Sequence, residues 1–213
     1  MFTDKLPKLI PVFPLSGVIY FPKTNLPLNI FEKRYLDLVN DCYNRDKMMG
    51  MVQSKKDSSD VYKVGCLGKI SDYQKTKDGR LLINLTGLVR FEIKKEISNE
   101  KKYREFEVSY DKFNLDLKNI DLKKKDLEDL PLDKFIQKTK KFFEKNGLIL
   151  NWKEFEKLDY NQRINTLAMI APVSDEEKQK LLETVTIEEK TKTILDIIEF
   201  YLYSNSNSQQ ILQ

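Results

Sequence analysis

The spacing of apolar residues changes character once along this chain. As far as Tyr110 they alternate with polar residues or come in short runs broken by Pro and Gly. From Phe135 onward they recur every three to four residues. Lys8–Phe13, Gly17–Phe21 and Thr24–Leu28 are short, rich in β-branched and aromatic residues, and separated by Pro or Gly, which predicts three strands. Proline cannot donate to a ladder, so these strands are expected to be short, to lie at edges or to be broken by bulges. A helix is predicted next, capped by Asn29, with Glu32 reaching back to the cap. Phe31, Tyr35, Leu38, Val39 and Cys42 then fall on one helical face, which places Cys42 in the core.

Strands resume at Met48–Gln53, Val61–Tyr73, Arg80–Ile93 and Tyr103–Tyr110. The Asp78-Gly79 pair predicts a hairpin whose type I′ turn needs positive φ at both centres. In the last strand Phe106, Val108 and Tyr110 face one side, and Glu105, Glu107 and Ser109 the other, the pattern of a half-buried antiparallel strand. Gly65 and Gly68 lie inside a strand pattern and predict a bulge or a close backbone approach. Several short strands, tight turns and one inserted helix add up to a small barrel or a strongly curved sheet.

Between Leu115 and Leu130 the chain is highly charged and lacks aromatic residues, so residues 116–130 are expected to be a connector or a frayed helix. Phe135, Ile136, Thr139, Phe142 and Phe143 then line a helical face that ends at Asn146-Gly147. Asp159 with Gln162, Ser174 with Glu177 and Thr186 with Glu189 are spaced as capping boxes for three further helices. The first of these carries Ile164, Leu167, Ala168 and Ala171 before Pro172, and the last carries Ile187, Ile194, Ile198 and Tyr201. The polar tail is expected to be disordered. The expected class is α+β, with residues 1–115 rich in strands, residues 131–204 a helical bundle, and residues 205–213 the tail.

Composition adds limits rather than direction. A chain of 213 residues buries about 70% of its unfolded surface and needs no metal or disulfide staple. Its 37 basic and 33 acidic residues nearly cancel, and a net charge of +4 is too weak to argue for nucleic acid. Cys42 and Cys66 are the only cysteines, and the N-terminus lacks the pattern of a signal peptide, so both thiols are expected to be reduced and the protein cytoplasmic. No apolar run approaches the roughly 20 residues that span a bilayer, so no membrane association is expected.

The inventory of reactive groups is poor. Without a histidine the chain lacks the commonest general base and the commonest transition-metal ligand. Two cysteines alone cannot close a tetrahedral zinc site, and no histidine is present to activate either of them. Neither phosphate-cradling glycine loop occurs, nor the G-x-S-x-G elbow. Carboxylates cluster in mixed-charge runs such as Asp126–Asp129 and Asp175–Glu177, which read as solvated faces or helix N-termini. No cofactor, no metal and no catalytic residue is expected, and the chain reads as a non-enzyme.

Four blocks in order do carry a resemblance. The first runs through Ile10-Pro11, Phe13-Pro14-Leu15, Phe21-Pro22, Leu26-Pro27-Leu28 and Ile30-Phe31-Glu32-x-Arg34-Tyr35; the second is Val64–Ile70. The third is Asp78-Gly79-Arg80-Leu81 followed by Leu85–Phe91, of the form D-G-R … G-x-x-R-F, and the fourth is Pro172–Leu182. Over residues 7–203 the chain resembles the N-terminal, substrate-binding domain of Lon proteases, and in particular the stand-alone members without the ATPase and protease domains. The resemblance implies a PUA-like β-barrel with one inserted helix, followed by an α-helical bundle. It also implies a non-catalytic module that binds unfolded or specific protein segments and serves as an adaptor for a separate protease or chaperone in protein quality control. An RNA-binding PUA-like module is the alternative. Phe31, Glu32, Arg34 and Tyr35 are the candidate binding residues. Their alternative role is structural, with Phe31 and Tyr35 in the core, Glu32 capping and Arg34 pairing with a nearby acid.

Overall fold

The alternating first half folds into six strands: β1 (Leu9–Leu15), β2 (Asn25–Ile30), β3 (Met48–Ser54), β4 (Val61–Lys75), β5 (Leu81–Ile97) and β6 (Arg104–Ser109). One helix, α1 (Lys33–Tyr43), is inserted between β2 and β3. The computed structural model describes residues 6–118 and 132–208. The chain divides into two compact units, Met1–Asn119 and Ile120–Gln213.

In the first unit the strands form one mixed sheet in the order β2-β5-β4-β3-β1-β6, and β6 also pairs with β5. β1 and β3 run parallel, and the other pairings are antiparallel. Pairing therefore closes on itself through β5, β4, β3, β1 and β6. The 17-residue β5 makes this possible: it holds β2 along Leu81–Thr86 and β6 along Glu92–Ile97. β2 stays outside the circuit, so the expected barrel is met as a closed ring of pairings with a sixth strand appended, not as a clean barrel. Ile10, Val12, Val52, Leu67, Val89, Phe91, Phe106 and Val108 pack into the core of this unit. The register of β4 on β5 shifts between Leu67 and Gly68, at one of the glycines that predict a bulge. A Cβ on Gly68 would run into the Tyr20 hydroxyl, and one on Gly65 into the Met51 carbonyl oxygen.

Three local expectations need correction. Gly17–Phe21 is not a strand, although Ile19, Tyr20 and Phe21 are buried. The Thr24 hydroxyl accepts from the Phe21 N–H and donates to the Phe21 carbonyl, so this backbone is satisfied within its own turn. That turn is clamped to Gly87, whose carbonyl accepts from the Lys23 N–H and whose N–H donates to Thr24. The helix after β2 begins at Lys33, not at Asn29, because Asn29 continues β2 opposite Leu82. Glu32 occupies the cap position with no side-chain capping bond. The Asp78-Gly79 hairpin is present, but only Gly79 has positive φ. The Gly79 N–H donates to the Thr76 carbonyl, and the Thr76 N–H to the Arg80 carbonyl. This is a three-residue loop with glycine at its left-handed position rather than a type I′ turn.

After β6 comes a 3₁₀ segment, Asp111–Leu117, in which Phe113 is buried. The remainder of the charged connector, residues 119–130, lies outside the described residues, as does residue 131.

The second unit is built of helices α2 (Leu132–Lys145), α3 (Trp152–Phe155), α4 (Tyr160–Ile170), α5 (Asp175–Glu183) and α6 (Ile187–Ser208). The apolar spacing predicts much of its interior: Phe135, Phe142, Phe143, Ile164, Leu167, Ala168, Ala171, Ile194 and Ile198 are buried, whereas Ile136, Ile187 and Tyr201 are half-buried; Leu181 and Leu182 of α5 are buried as well. The three capping boxes form at Asp159/Gln162, Ser174/Glu177 and Thr186/Glu189. Gly147, at φ +69°, follows the end of α2 as a left-handed stop. The polar stretch after Tyr203 is helical as far as Ser208, and residues 209–213 lie outside the described residues. Among the described residues of this unit one buried side chain is charged: Lys190 on α6 is buried, and its ammonium donates to Asn165 Oδ1 on α4 at 2.7 Å.

Candidate functional site

The four candidate residues occupy the corner where β2 gives way to α1. Phe31 is 66% exposed, because the helix starts two residues too late to turn it inward. Its expected place in the core is therefore wrong, while Tyr35 is buried as expected. The Tyr35 ring meets Phe13 edge-on at 4.3 Å between centroids. Arg34 is held between two neighbours: its Nε donates to Glu32 Oε2 at 3.0 Å, and its guanidinium lies 4.5 Å from the Tyr35 ring centre. Burial raises the pKa of Tyr35, an effect the Arg34 charge opposes and the Glu32 charge adds to. The corner thus presents an exposed phenyl ring and a pinned guanidinium on a buried aromatic base.

Beside this corner the outward face of the β2–β5–β4 region carries a groove of about 390 Å³ lined by Pro27, Asn29, Asp72, Gln74, Leu82 and Asn84, among others. Leu82 is exposed there, opposite Asn29 and beside Gln74. The rest of the face is a ladder of small polar groups: the Thr86 hydroxyl donates to Asn25 Oδ1 at 2.8 Å, and the Ser71 hydroxyl to the Asn84 carbonyl at 3.1 Å. None of these residues stands out locally in the sequence. Leu82 is the exception: it is an apolar residue at an outward position of β5, between the inward Leu81 and Ile83.

The groups with chemical potential are quiet. Among the described residues no cluster of three or more His, Cys, Asp or Glu could hold a metal ion. Asp78, Glu92 and Glu96, each hydrogen-bonded by a neighbouring hydroxyl or cation, titrate below the usual carboxylate range, as surface ion pairs do. Cys42 and Cys66 are buried thiols outside any disulfide, and burial pushes Cys42 up to about 12. Both are expected to resist a disulfide thiol reagent at mildly alkaline pH in the folded protein and to react rapidly in denaturant. Fast labelling of the native protein would contradict this. Because Cys42 keeps its proton in the folded state, it favours folding below the ordinary thiol range. That contribution is lost as rising pH ionises the unfolded thiol, at up to about 1.4 kcal/mol per pH unit.

On the second unit Leu148, Ile149, Phe200 and Tyr203 are exposed. No helix among the described residues is long and apolar enough to cross a membrane.

The family model described as the ATP-dependent protease La (LON) substrate-binding domain matches residues 9–199. A Lon protease of Syntrophus aciditrophicus is 25% identical over 214 residues, a match covering 93% of this chain and 26% of that protein. A Lon protease of Flavobacterium johnsoniae is 30% identical over 106 residues, covering 47% of this chain and 13% of that protein. The chain thus spans about a quarter or less of these relatives' length. Among solved structures, a Lon N-terminal domain protein from Xanthomonas campestris superposes with a TM-score of 0.63 at 21% identity, over 88% of this chain and 97% of the other. The N-terminal domain of a Mycobacterium avium complex Lon protease does so with a TM-score of 0.63 at 15% identity, over 90% and 98%.

Proposed function

Since the chain belongs to the ATP-dependent protease La (LON) substrate-binding domain family, we propose that it is a non-enzymatic module that recognises unfolded or specific protein segments in the cytoplasm, and that it passes them to a separate protease or chaperone. The family match over residues 9–199 carries this reading. The exposed Phe31 at the strand–helix corner and the exposed Leu82 in the neighbouring groove support it. The ring of pairings through five strands supports a PUA-like barrel within residues 1–115, and the helical unit supports a bundle within residues 131–204. The comparisons lend the RNA-binding alternative no support.

The test is binding of a permanently unfolded protein, for example a reduced and carboxymethylated lactalbumin, followed by fluorescence anisotropy against the native form of the same protein. The unfolded form is expected to bind and the native form to bind far more weakly. Equal affinity for both, or none for either, would refute the reading. Phe31→Ala is expected to weaken that binding by about tenfold, the scale of one exposed aromatic anchor, and to leave the thermal midpoint unchanged because the ring is 66% exposed. A loss of stability in place of a loss of binding would return Phe31 to a structural role.

A further inference from the structure

The edge of β2 is the place on this surface where a polypeptide can be taken up by its backbone. Among the described residues β2 pairs with β5 on one side only, and no strand covers its other side. Alternate residues of Asn25–Ile30 therefore turn their N–H and C=O groups outward, as on any sheet edge. Folded proteins guard such an edge with charge, above all lysine, or with proline, and Pro27 is the one such guard that β2 carries. β2, of sequence NLPLNI, carries no charge in a chain that is 33% charged. The contrast lies close by: beyond Ile70, where β4 loses β3 as a neighbour, its free stretch carries Asp72 and Lys75.

The apolar row inside β2 is also incompletely covered. Leu26, Leu28 and Ile30 face Leu85, Ile83 and Leu81 across the β5 ladder. The β5 partners are buried, yet Leu26 and Leu28 are only half-buried, and Ile30 alone is fully enclosed. A further strand alongside β2, with aliphatic side chains at alternate positions, would extend this row and cover both leucines. Phe31 stands at the end of the same strand, where it would meet the end of an added segment.

We propose that β2 accepts an extended peptide segment by edge-to-edge strand addition, the segment's alternate aliphatic residues continuing the row formed by Leu26 and Leu28. Pro27 selects this occupant over a second copy of the chain. Proline offers no N–H, so two β2 strands paired antiparallel and centred on Pro27 would bring two blank positions together. An incoming peptide faces only one. Recognition through the backbone accepts many sequences, provided that they are extended and alternate in polarity. This inference rests on the recognition reading above and names the way in which that recognition works.

Backbone methylation separates it from side-chain grip. From the carboxymethylated lactalbumin chain, the tightest-binding segment of about nine residues, long enough to cover a six-residue strand, is synthesised twice. One version is N-methylated at odd positions and the other at even positions. Strand addition along one edge uses only one alternate set of amides, so one version is expected to lose about tenfold or more, the scale of several lost backbone hydrogen bonds, and the other to bind nearly as the parent does. The outward-turned amides of β2, other than the donorless Pro27, are expected to exchange more slowly with solvent when the unmodified peptide is bound. If both methylated versions bind alike and β2 exchange does not change while the unfolded chain still binds, strand addition is wrong and the recognition reading survives. If the unfolded chain does not bind at all, both are wrong.

Discussion

Arg90→Ala is expected to destabilise the first unit by about 3–5 kcal/mol, the cost of leaving one half of a buried ion pair alone. The side chains of Arg90 and Asp116 are only 3% and 10% exposed. Their pairing is two-pronged: Arg90 Nε donates to Asp116 Oδ2 at 2.8 Å, and the terminal nitrogen Nη2 donates to Oδ1 at 2.7 Å. Oδ2 also accepts the backbone N–H of Arg90 at 3.0 Å, and the guanidinium lies 4.4 Å from the ring centre of Phe113. One side chain therefore fastens the 3₁₀ segment Asp111–Leu117 onto β5 through a carboxylate and a ring at once. Against a typical domain stability of about 5–15 kcal/mol, the loss takes a large share of the total. Asp116→Asn should cost a similar amount, because it leaves the buried Arg90 cation without a counter-charge and replaces one accepting oxygen by an NH2. Arg90→Lys should cost less than Arg90→Ala, since an ammonium keeps the charge opposite Asp116 but cannot reproduce the planar fork. Urea unfolding midpoints decide it: an Arg90→Ala midpoint close to that of the wild type would mean that the pair does not hold the segment.

This pair also shows where the sequence was readable. The blocks D-G-R and G-x-x-R-F stand out as a pattern, but the pattern does not say what each residue does. Gly87 is where no Cβ fits against the Phe21 carbonyl, Arg90 is the clamp, and Phe91 is core. All three roles depend on partners distant in sequence, at Phe21, Asp116 and Ile10. The helical unit was easier to read for the opposite reason. Its capping boxes join residues three apart, and its buried faces follow a local period, so Asp159, Ser174 and Thr186 mark helix starts unaided.

The candidate site fell between these two cases. Phe31 has the right spacing to share a helical face with Tyr35, and that spacing held no information about where the helix begins. Pairing with β5 decided it, by keeping Asn29 and Ile30 extended and leaving Phe31 outside both elements. The groove beside it is made by three strands meeting, with Pro27, Asp72 and Leu82 drawn from separate parts of the chain. No window of sequence contains it.

Phe91→Ala is expected to cost about 3–5 kcal/mol, as removal of a fully buried phenyl ring does, and the two glycines around the ring make that expectation divisible. A Cβ on Gly50 would sit 2.8 Å from Ile10 Cδ1 and 3.0 Å from two atoms of the Phe91 ring, all of them side-chain atoms. A Cβ on Gly65 would strike Val52, the Phe91 ring and, closest of all, the carbonyl oxygen of Met51 on the neighbouring strand. Phe91 thus lies against bare backbone at both glycines, but only Gly65 is also pressed against backbone. Gly50→Ala alone should cost about 1–3 kcal/mol by overpacking. In a Phe91→Leu background it should cost distinctly less, because the smaller side chain vacates the space that the new methyl needs. Gly65→Ala should cost at least as much alone and gain little from Phe91→Leu, since the Met51 carbonyl cannot retreat without breaking the β3–β4 register that sets Met51 opposite Cys66. The readout is the coupling energy in two double-mutant cycles measured by denaturant unfolding. Equal coupling at both glycines would show that the ring alone excludes the methyl at each, and that the close approach of β3 to β4 at Gly65 is not what requires glycine there.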